Sequence, residues 1–233
     1  MTAPDPGDLV ARLLYRDAMV LIIDKPAGVA VHAGGKAGGP HLMDLLDSLR
    51  FGLPRAPELA HRLDRDTSGC LVLGRHRKAL ARLGEIFAGG EAEKTYWAVV
   101  VGRPPEAAGL IDKPLRKLER RHGWRVVVDP AGQPARTGYR VLGGDARLSW
   151  IEAKPHTGRT HQIRVHLASI GCPIVGDAIY GRGTADLVSP SLHLHARGIM
   201  LPFAPAKPPI VATAPVPPHM GELLRRCGWD NEV

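Results

Sequence analysis

Apolar positions run through this chain in two rhythms. Three uninterrupted blocks, Met19-Val20-Leu21-Ile22-Ile23, Cys70-Leu71-Val72-Leu73 and Tyr96-Trp97-Ala98-Val99-Val100-Val101, have the length and the β-branched or aromatic content of buried strands. Elsewhere the spacing is helical. Leu42, Leu45, Leu46 and Leu49 predict a helix over 41–50. Leu80, Leu83 and Phe87 predict an amphipathic helix over 75–88, with Arg75, Arg77, Lys78 and Arg82 supplying charge and Gly89-Gly90 closing it. A third helix is expected over 161–170, ending at Gly171, and a short one over 220–227. Strands at 126–128, 137–142 and 147–153 suggest an antiparallel meander, with a late strand at 193–201. Seven prolines between Pro202 and Pro218 exclude a helix or a central strand there. With no repeat and no long linker, the pattern reads as one α+β domain over 17–233, preceded by an extension over 1–16.

The bulk numbers narrow the classes. A chain of 233 residues, 44% hydrophobic and 23% charged, can bury a core and is not disordered. Lysine and arginine total 31 against 23 acids, a net charge of +8, which favours a polyanionic partner, though a merely soluble basic protein gives the same sum. No apolar run reaches the ~18 residues of a membrane span. Residues 1–8 lack a secretory pattern, and Cys70, Cys172 and Cys227 lie too far apart for a zinc motif or a disulfide framework. A cytoplasmic location is expected. Gly34, Gly35, Gly38 and Gly39 form a glycine-rich loop, but no Gly-Lys-Ser/Thr follows, so it is not a phosphate loop.

The most informative stretch is His61-Arg62-Leu63-Asp64-Arg65-Asp66-Thr67-Ser68-Gly69, which sets a carboxylate between two arginines at the mouth of the 70–73 strand. Alone it is equally a solvated turn. Three other segments accompany it: Lys25-Pro26-Ala27-Gly28-Val29, Lys94-Thr95-Tyr96, and the long run from Lys154 through Gly158-Arg159-Thr160-His161-Gln162-Ile163-Arg164-Val165-His166, with Gly171 to Asp177 behind it. In this order and spacing the four resemble the RluA family of RNA pseudouridine synthases, over about residues 17–203.

The resemblance implies a pseudouridine-synthase-like fold with a mixed, mainly antiparallel sheet, flanking helices and a central catalytic cleft. It also implies an isomerase that needs no cofactor and no metal. The N1–C1′ bond of a uridine breaks, the base turns, and C5 bonds to C1′. Such chemistry needs a carboxylate near sugar and base. By resemblance that residue is Asp64, whether it acts at C1′, at C6 or toward C2′. Arg164 matches the family arginine that pairs with the carboxylate, a bidentate and permanently charged partner. Tyr96 matches a tyrosine whose ring lies against the uracil. Arg62 matches a residue that fills the space of an extruded nucleotide. Leu63, Ile163, Lys25 and His61 are expected at the substrate. Asp66 is expected to serve the turn alone.

The basic run Lys113, Arg116, Lys117, Arg120 and Arg121 reads as an arm on RNA phosphates, with Trp124 as a stacking surface or a core residue, although a solvated loop is the usual fate of such a run. Lys25, Arg75, Arg77 and Lys78 would extend a basic rim. His156, His161 and His166 do not share a helical face, which argues against a metal site. About 16 residues precede the catalytic region, too few for an S4-type module, so the chain is similar to compact members of the family. The expected substrate is a structured stem-loop, tRNA anticodon-loop uridine 32 or a 23S ribosomal RNA hairpin or both, and the protein is expected to act as a monomer. Two rivals remain: a catalytically inactive RNA-binding module of the same fold, and a hydrolase using the Asp64/Asp66 pair, which the 5% aromatic content leaves without a sugar-stacking platform.

Overall fold

The computed structural model describes residues 8–31, 41–120, 123–181 and 189–230. In chain order it contains β1 (Leu13–Arg16), β2 (Val20–Lys25), α1 (Leu42–Leu45) running into a 3₁₀ turn (Leu46–Leu49), β3 (Glu58–Leu59), β4 (Ser68–Gly74), α2 (Arg77–Ala88) and β5 (Glu93–Val101). It continues with β6 (Ala108–Asp112), β7 (Leu115–Arg120), β8 (Gly123–Val128), β9 (Arg136–Gly144), β10 (Leu148–Pro155), α3 (Gln162–Ser169), β11 (Leu194–Leu201), β12 (Ile210–Thr213) and α4 (Pro218–Arg226). The class is α+β, and the sheet is mainly antiparallel, as the apolar rhythms predict. The chain folds as two compact units, each assembled from two stretches: 1–94 with 196–215, and 95–195 with 216–233.

The first unit carries strands in the order β1-β2-β4-β11, with β3 beside β4 and β12 beside β11. Strands β2 and β4 are buried on both faces, which explains their unbroken apolar sequences. One face, Val20, Ile22, Cys70 and Val72, packs on Leu83 and Ile86 of α2. Truncating one such leucine to alanine costs about 2–5 kcal/mol. Helix α2 begins at His76, whose ring nitrogen accepts from the Ala79 N–H at 3.3 Å. The helix expected over 41–50 is only one α turn followed by the 3₁₀ turn, ended by Phe51 and Gly52 at positive φ. Strand β12 lies within the proline-rich segment and pairs with β11 alone, so the exclusion of a central strand holds.

The second unit carries β5-β10-β9-β6. Alternation along β5 decides its packing. Ala98 and Val100 face Ile163 and Leu167 of α3, whereas Trp97 and Val99 face Met220 and Leu224 of α4. Trp97 and Trp150 meet edge to face at 4.7 Å, an arrangement that adds to their area burial. The charge-dense segment holds a two-stranded ribbon, β7 paired to β8. The sequence shows it only as the strand expected over 126–128, because among its described side chains the ribbon buries just Leu115 and Val126 deeply, against Val165 and Tyr180.

Candidate active site

In the first unit, the 61–69 motif is a turn pinned at both ends. The Thr67 N–H donates to the Asp64 carbonyl at 3.2 Å, closing the turn over Arg65 and Asp66. His61 anchors the entry: its Nε2 accepts from the Val72 N–H at 3.0 Å, and its ring lies 4.7 Å from that of Phe87. Burial, reinforced by the Lys94 charge and opposed by a backbone bond to Arg62, pulls the His61 pKa down to about 4. His61 is thus a neutral, half-buried acceptor that holds the entry of the turn. The exit is fixed by Gly69 at φ +105°, where an added Cβ would stand 2.3 Å from the Ala196 carbonyl oxygen.

Lys25 corrects the sequence reading most directly. Expected on a basic rim and at the substrate, it is fully buried. Its Nζ donates to the carbonyls of Pro26 at 2.7 Å, Val29 at 2.9 Å and Arg65 at 3.0 Å. Three donors meet three acceptors, so the ammonium is satisfied without any ligand. Burial pulls its pKa down to about 7, against Asp66, Asp64 and Asp24, which hold it up. Two further bonds join the same segments: Gly28 N–H to the Arg65 carbonyl, and Arg65 Nε to the Gly28 carbonyl, both at 3.0 Å. The Lys-Pro-Ala-Gly turn is therefore a clasp on the residue next to Asp64. Asp64 itself is half-buried, Leu63 is buried, and Arg62 and Asp66 are exposed.

In the second unit, Tyr96 on β5 stands opposite Ala153 of β10 and packs, half-buried, against the cluster that contains Ile163. The next residue of α3, Arg164, is buried and forked onto Asp177: Nε donates to Oδ2 at 2.8 Å and Nη2 to Oδ1 at 2.9 Å. Burial pushes the Asp177 carboxyl up. The Arg164 bonds and charge, with the N–H groups of Tyr180 and Ile179, outweigh it and hold the pKa below the usual carboxylate value.

Gln162 fixes the loop that leads into α3. Its carbonyl accepts from Thr157 Oγ1 at 2.6 Å and Arg159 N–H at 3.0 Å, while its amide donates to the Arg136 carbonyl and to Thr137 Oγ1, both at 2.9 Å. His166 is buried between Thr137 Oγ1 at 2.8 Å and the Lys113 carbonyl at 3.0 Å. Among the described residues no three His, Cys, Asp or Glu side chains group as metal ligands.

The basic arm divides. Lys113 is half-buried and its Nζ donates to the Ser169 carbonyl at 3.0 Å, on the last residue of α3, where a cation also complements the helix dipole. Arg116 pairs with Asp129 at 2.5 Å and Lys117 with Glu119 at 2.9 Å, both on the surface. Arg120 closes the ribbon through its backbone, opposite Gly123. Arg121 and the glycine loop at 33–40 lie outside the described residues.

The sequence reading gave no role to Asp177 or Tyr180. A signal was present: Asp177 is the one acid after Cys172-Pro173-Ile174-Val175, and an acid beside a buried run needs a cationic partner.

Residues 19–169 match the family model described as RNA pseudouridylate synthase. An uncharacterised RNA pseudouridine synthase of Zymomonas mobilis is 43% identical over 217 residues, 92% of this chain and 98% of its own length. Ribosomal large subunit pseudouridine synthase D of Xanthomonas campestris is 37% identical over 97% of this chain and 72% of its own. The structure of human RNA pseudouridylate synthase domain containing 4 superposes with a TM-score of 0.78 at 28% identity, covering 94% of both chains. The chain therefore belongs to the RNA pseudouridylate synthase family, in its RluA branch. It is an RNA pseudouridine synthase, an isomerase acting on RNA.

Proposed function

We propose that this synthase isomerises one uridine in a structured RNA stem-loop with Asp64 as the catalytic carboxylate. Tyr96 and Arg164 are the other two residues of the chemistry, and Arg62, Leu63 and Ile163 contact the nucleotide. The observation that carries the reading is the clasp. Lys25 and Gly28 fasten both sides of Arg65, which holds the backbone next to Asp64 while leaving that carboxylate half-open. Preorganising one acid in this way suits a group that must meet a sugar carbon at a fixed distance. Asp66 is exposed on the same turn and serves only the turn.

Two RNA targets fit a compact enzyme of this kind, uridine 32 of a tRNA anticodon loop and a hairpin of 23S ribosomal RNA. The relatives named for the ribosomal large subunit favour the second. The exposed Lys117 and the basic ribbon supply phosphate contacts.

The test is tritium release from RNA labelled at uridine C5, with unmodified tRNA and a 23S transcript assayed separately. Release by wild type, its loss in Asp64→Ala and a retained share in Asp66→Ala are expected. Equal loss in both variants would favour a paired-acid mechanism. Release by Asp64→Ala at the wild-type rate would refute the assignment of the aspartate.

A further inference from the structure

The β7–β8 ribbon is linked to Arg164 by a continuous set of contacts inside the second unit. Trp124, on β8, is 39% exposed, yet its ring stacks on His161 with centroids 5.0 Å apart and planes 30° off parallel. Lys117 places its ammonium 5.0 Å from the same indole. His161 is the residue before α3 and holds φ at +54°, a left-handed conformation that costs a non-glycine residue on the order of 1 kcal/mol.

Tyr180 gathers the rest. Its hydroxyl lies 2.9 Å from His161 Nδ1 and accepts from the Val126 N–H at 3.1 Å, tying β8 to the head of α3. Its ring sits 5.3 Å from the Arg164 guanidinium. Its backbone N–H donates to Asp177 Oδ1 at 3.0 Å, the same oxygen that takes the Arg164 Nη2. One side chain therefore touches the ribbon, the strained residue that starts the helix, and the ion pair that aims the arginine.

We propose that the β7–β8 ribbon is an RNA-contact surface energetically coupled to Arg164, with Tyr180 and His161 as the positioning residues that carry the coupling. The proposal rests on the reading above that gives Arg164 a place in the chemistry. A nucleobase stacked on Trp124, with its phosphate on Lys117, holds the indole against His161. That contact fixes the left-handed start of α3, and Tyr180 relays the restraint to the guanidinium and its carboxylate. An exposed tryptophan beside an ammonium has the chemistry of an unpaired nucleotide rather than of a duplex. The coupling is local and physical, through packed rings and shared hydrogen bonds.

The test is a double-mutant cycle on single-turnover rate at saturating RNA, with RNA affinity measured in parallel. Trp124→Ala and Tyr180→Phe are each expected to slow the step about tenfold. The double variant should be slowed by no more than about twentyfold, because both changes break one path. Tyr180→Phe should leave RNA affinity within about twofold, and Trp124→Phe, which restores a stacking ring, should recover most of the rate. A purely structural role would instead lower melting temperature without this split. Single variants at wild-type rate, or a double variant slowed about a hundredfold, would overturn the coupling. Arg164→Ala is the control: if it stays fully active, the underlying reading fails, whereas an inactive Arg164→Ala with a multiplicative cycle rejects only the coupling.

Discussion

Asp177 grips Arg164 through two parallel hydrogen bonds, at 2.8 and 2.9 Å, with the carboxylate side chain wholly removed from water and the guanidinium 6% exposed. A buried ion pair of this kind adds little net stability compared with apolar residues, but it becomes costly when one partner is removed. Its value lies in direction: the fork fixes the plane in which the arginine sits.

Replacing Asp177 by alanine removes both hydrogen bonds of the fork from a buried charge. Stability is expected to fall by about 3–5 kcal/mol in urea unfolding. Single-turnover pseudouridylation should fall at least tenfold, a conservative reading of lost preorganisation. A variant that is less stable yet turns over at the wild-type rate would show that the fork does not serve the chemistry.

Lys25→Met keeps the length of the stem and removes the three donors. The carbonyls of Pro26 and Val29 lose the ammonium, at about 1–3 kcal/mol for each group left unsatisfied, while that of Arg65 keeps the Gly28 N–H. The expected result is marked destabilisation together with reduced turnover, since one of those carbonyls belongs to Arg65 beside Asp64. RNA affinity measured under conditions where the variant remains folded should be nearly unchanged, because the ammonium is buried. A loss of affinity with normal turnover would return Lys25 to the RNA surface.

Gly69 and Gly28 both hold positive φ, +105° and +85°, but their surroundings differ. A methyl at Gly69 collides with the Ala196 backbone, whereas nothing lies within 4 Å of one at Gly28. Gly28→Ala should cost only the conformational penalty, about 1–2 kcal/mol. Gly69→Ala should cost well over that or prevent folding, as read by thermal melting of the purified variants. Equal melting temperatures would mean that the strands part easily at this point.

The His61 pKa near 4 makes a prediction about acid. Between the ordinary value of 6.5 and about 4, the unfolded chain binds a proton that the folded chain refuses. Stability from this group is therefore complete above pH 6.5 and is lost as pH falls toward 4, by at most about 3.5 kcal/mol at 1.4 per unit. His61→Gln, which retains an acceptor for Val72, should flatten that limb of the stability curve. An identical limb in the variant would assign it to other groups, such as the carboxylates that titrate lower.

The strands and α2 were legible because burial on one or both faces writes itself into the apolar rhythm, as in Val20–Ile23 and in Ala98 to Val100. Of the ribbon only residues 126–128 were legible as a strand, since Arg116, Lys117 and Trp124 face water and leave no alternation to read. Lys25 shows the harder limit. A lysine beside a Pro-Ala-Gly turn reads as a surface cation, and only the convergence of carbonyls from residues 26, 29 and 65 reveals why it is buried. Asp177 was overlooked for the related reason that its partner lies 13 residues away, across a loop. His61 and Arg62 show the motif dividing, one neutral and packed, the other exposed.

The first unit needs residues 196–215 as well as 1–94, and this has a consequence during synthesis. Strand β4 emerges from the ribosome more than a hundred residues ahead of β11, its neighbour in the sheet. At about 5–20 residues per second that interval lasts several seconds or more. For its duration a seven-residue strand that the native fold buries completely has a hydrogen-bonding edge covered only by the two-residue β3 at one end. The Asp64 turn can close early around Lys25, but its strand must wait. A nascent chain arrested between residues 95 and 195 would therefore be a chaperone client, however stable the finished enzyme is.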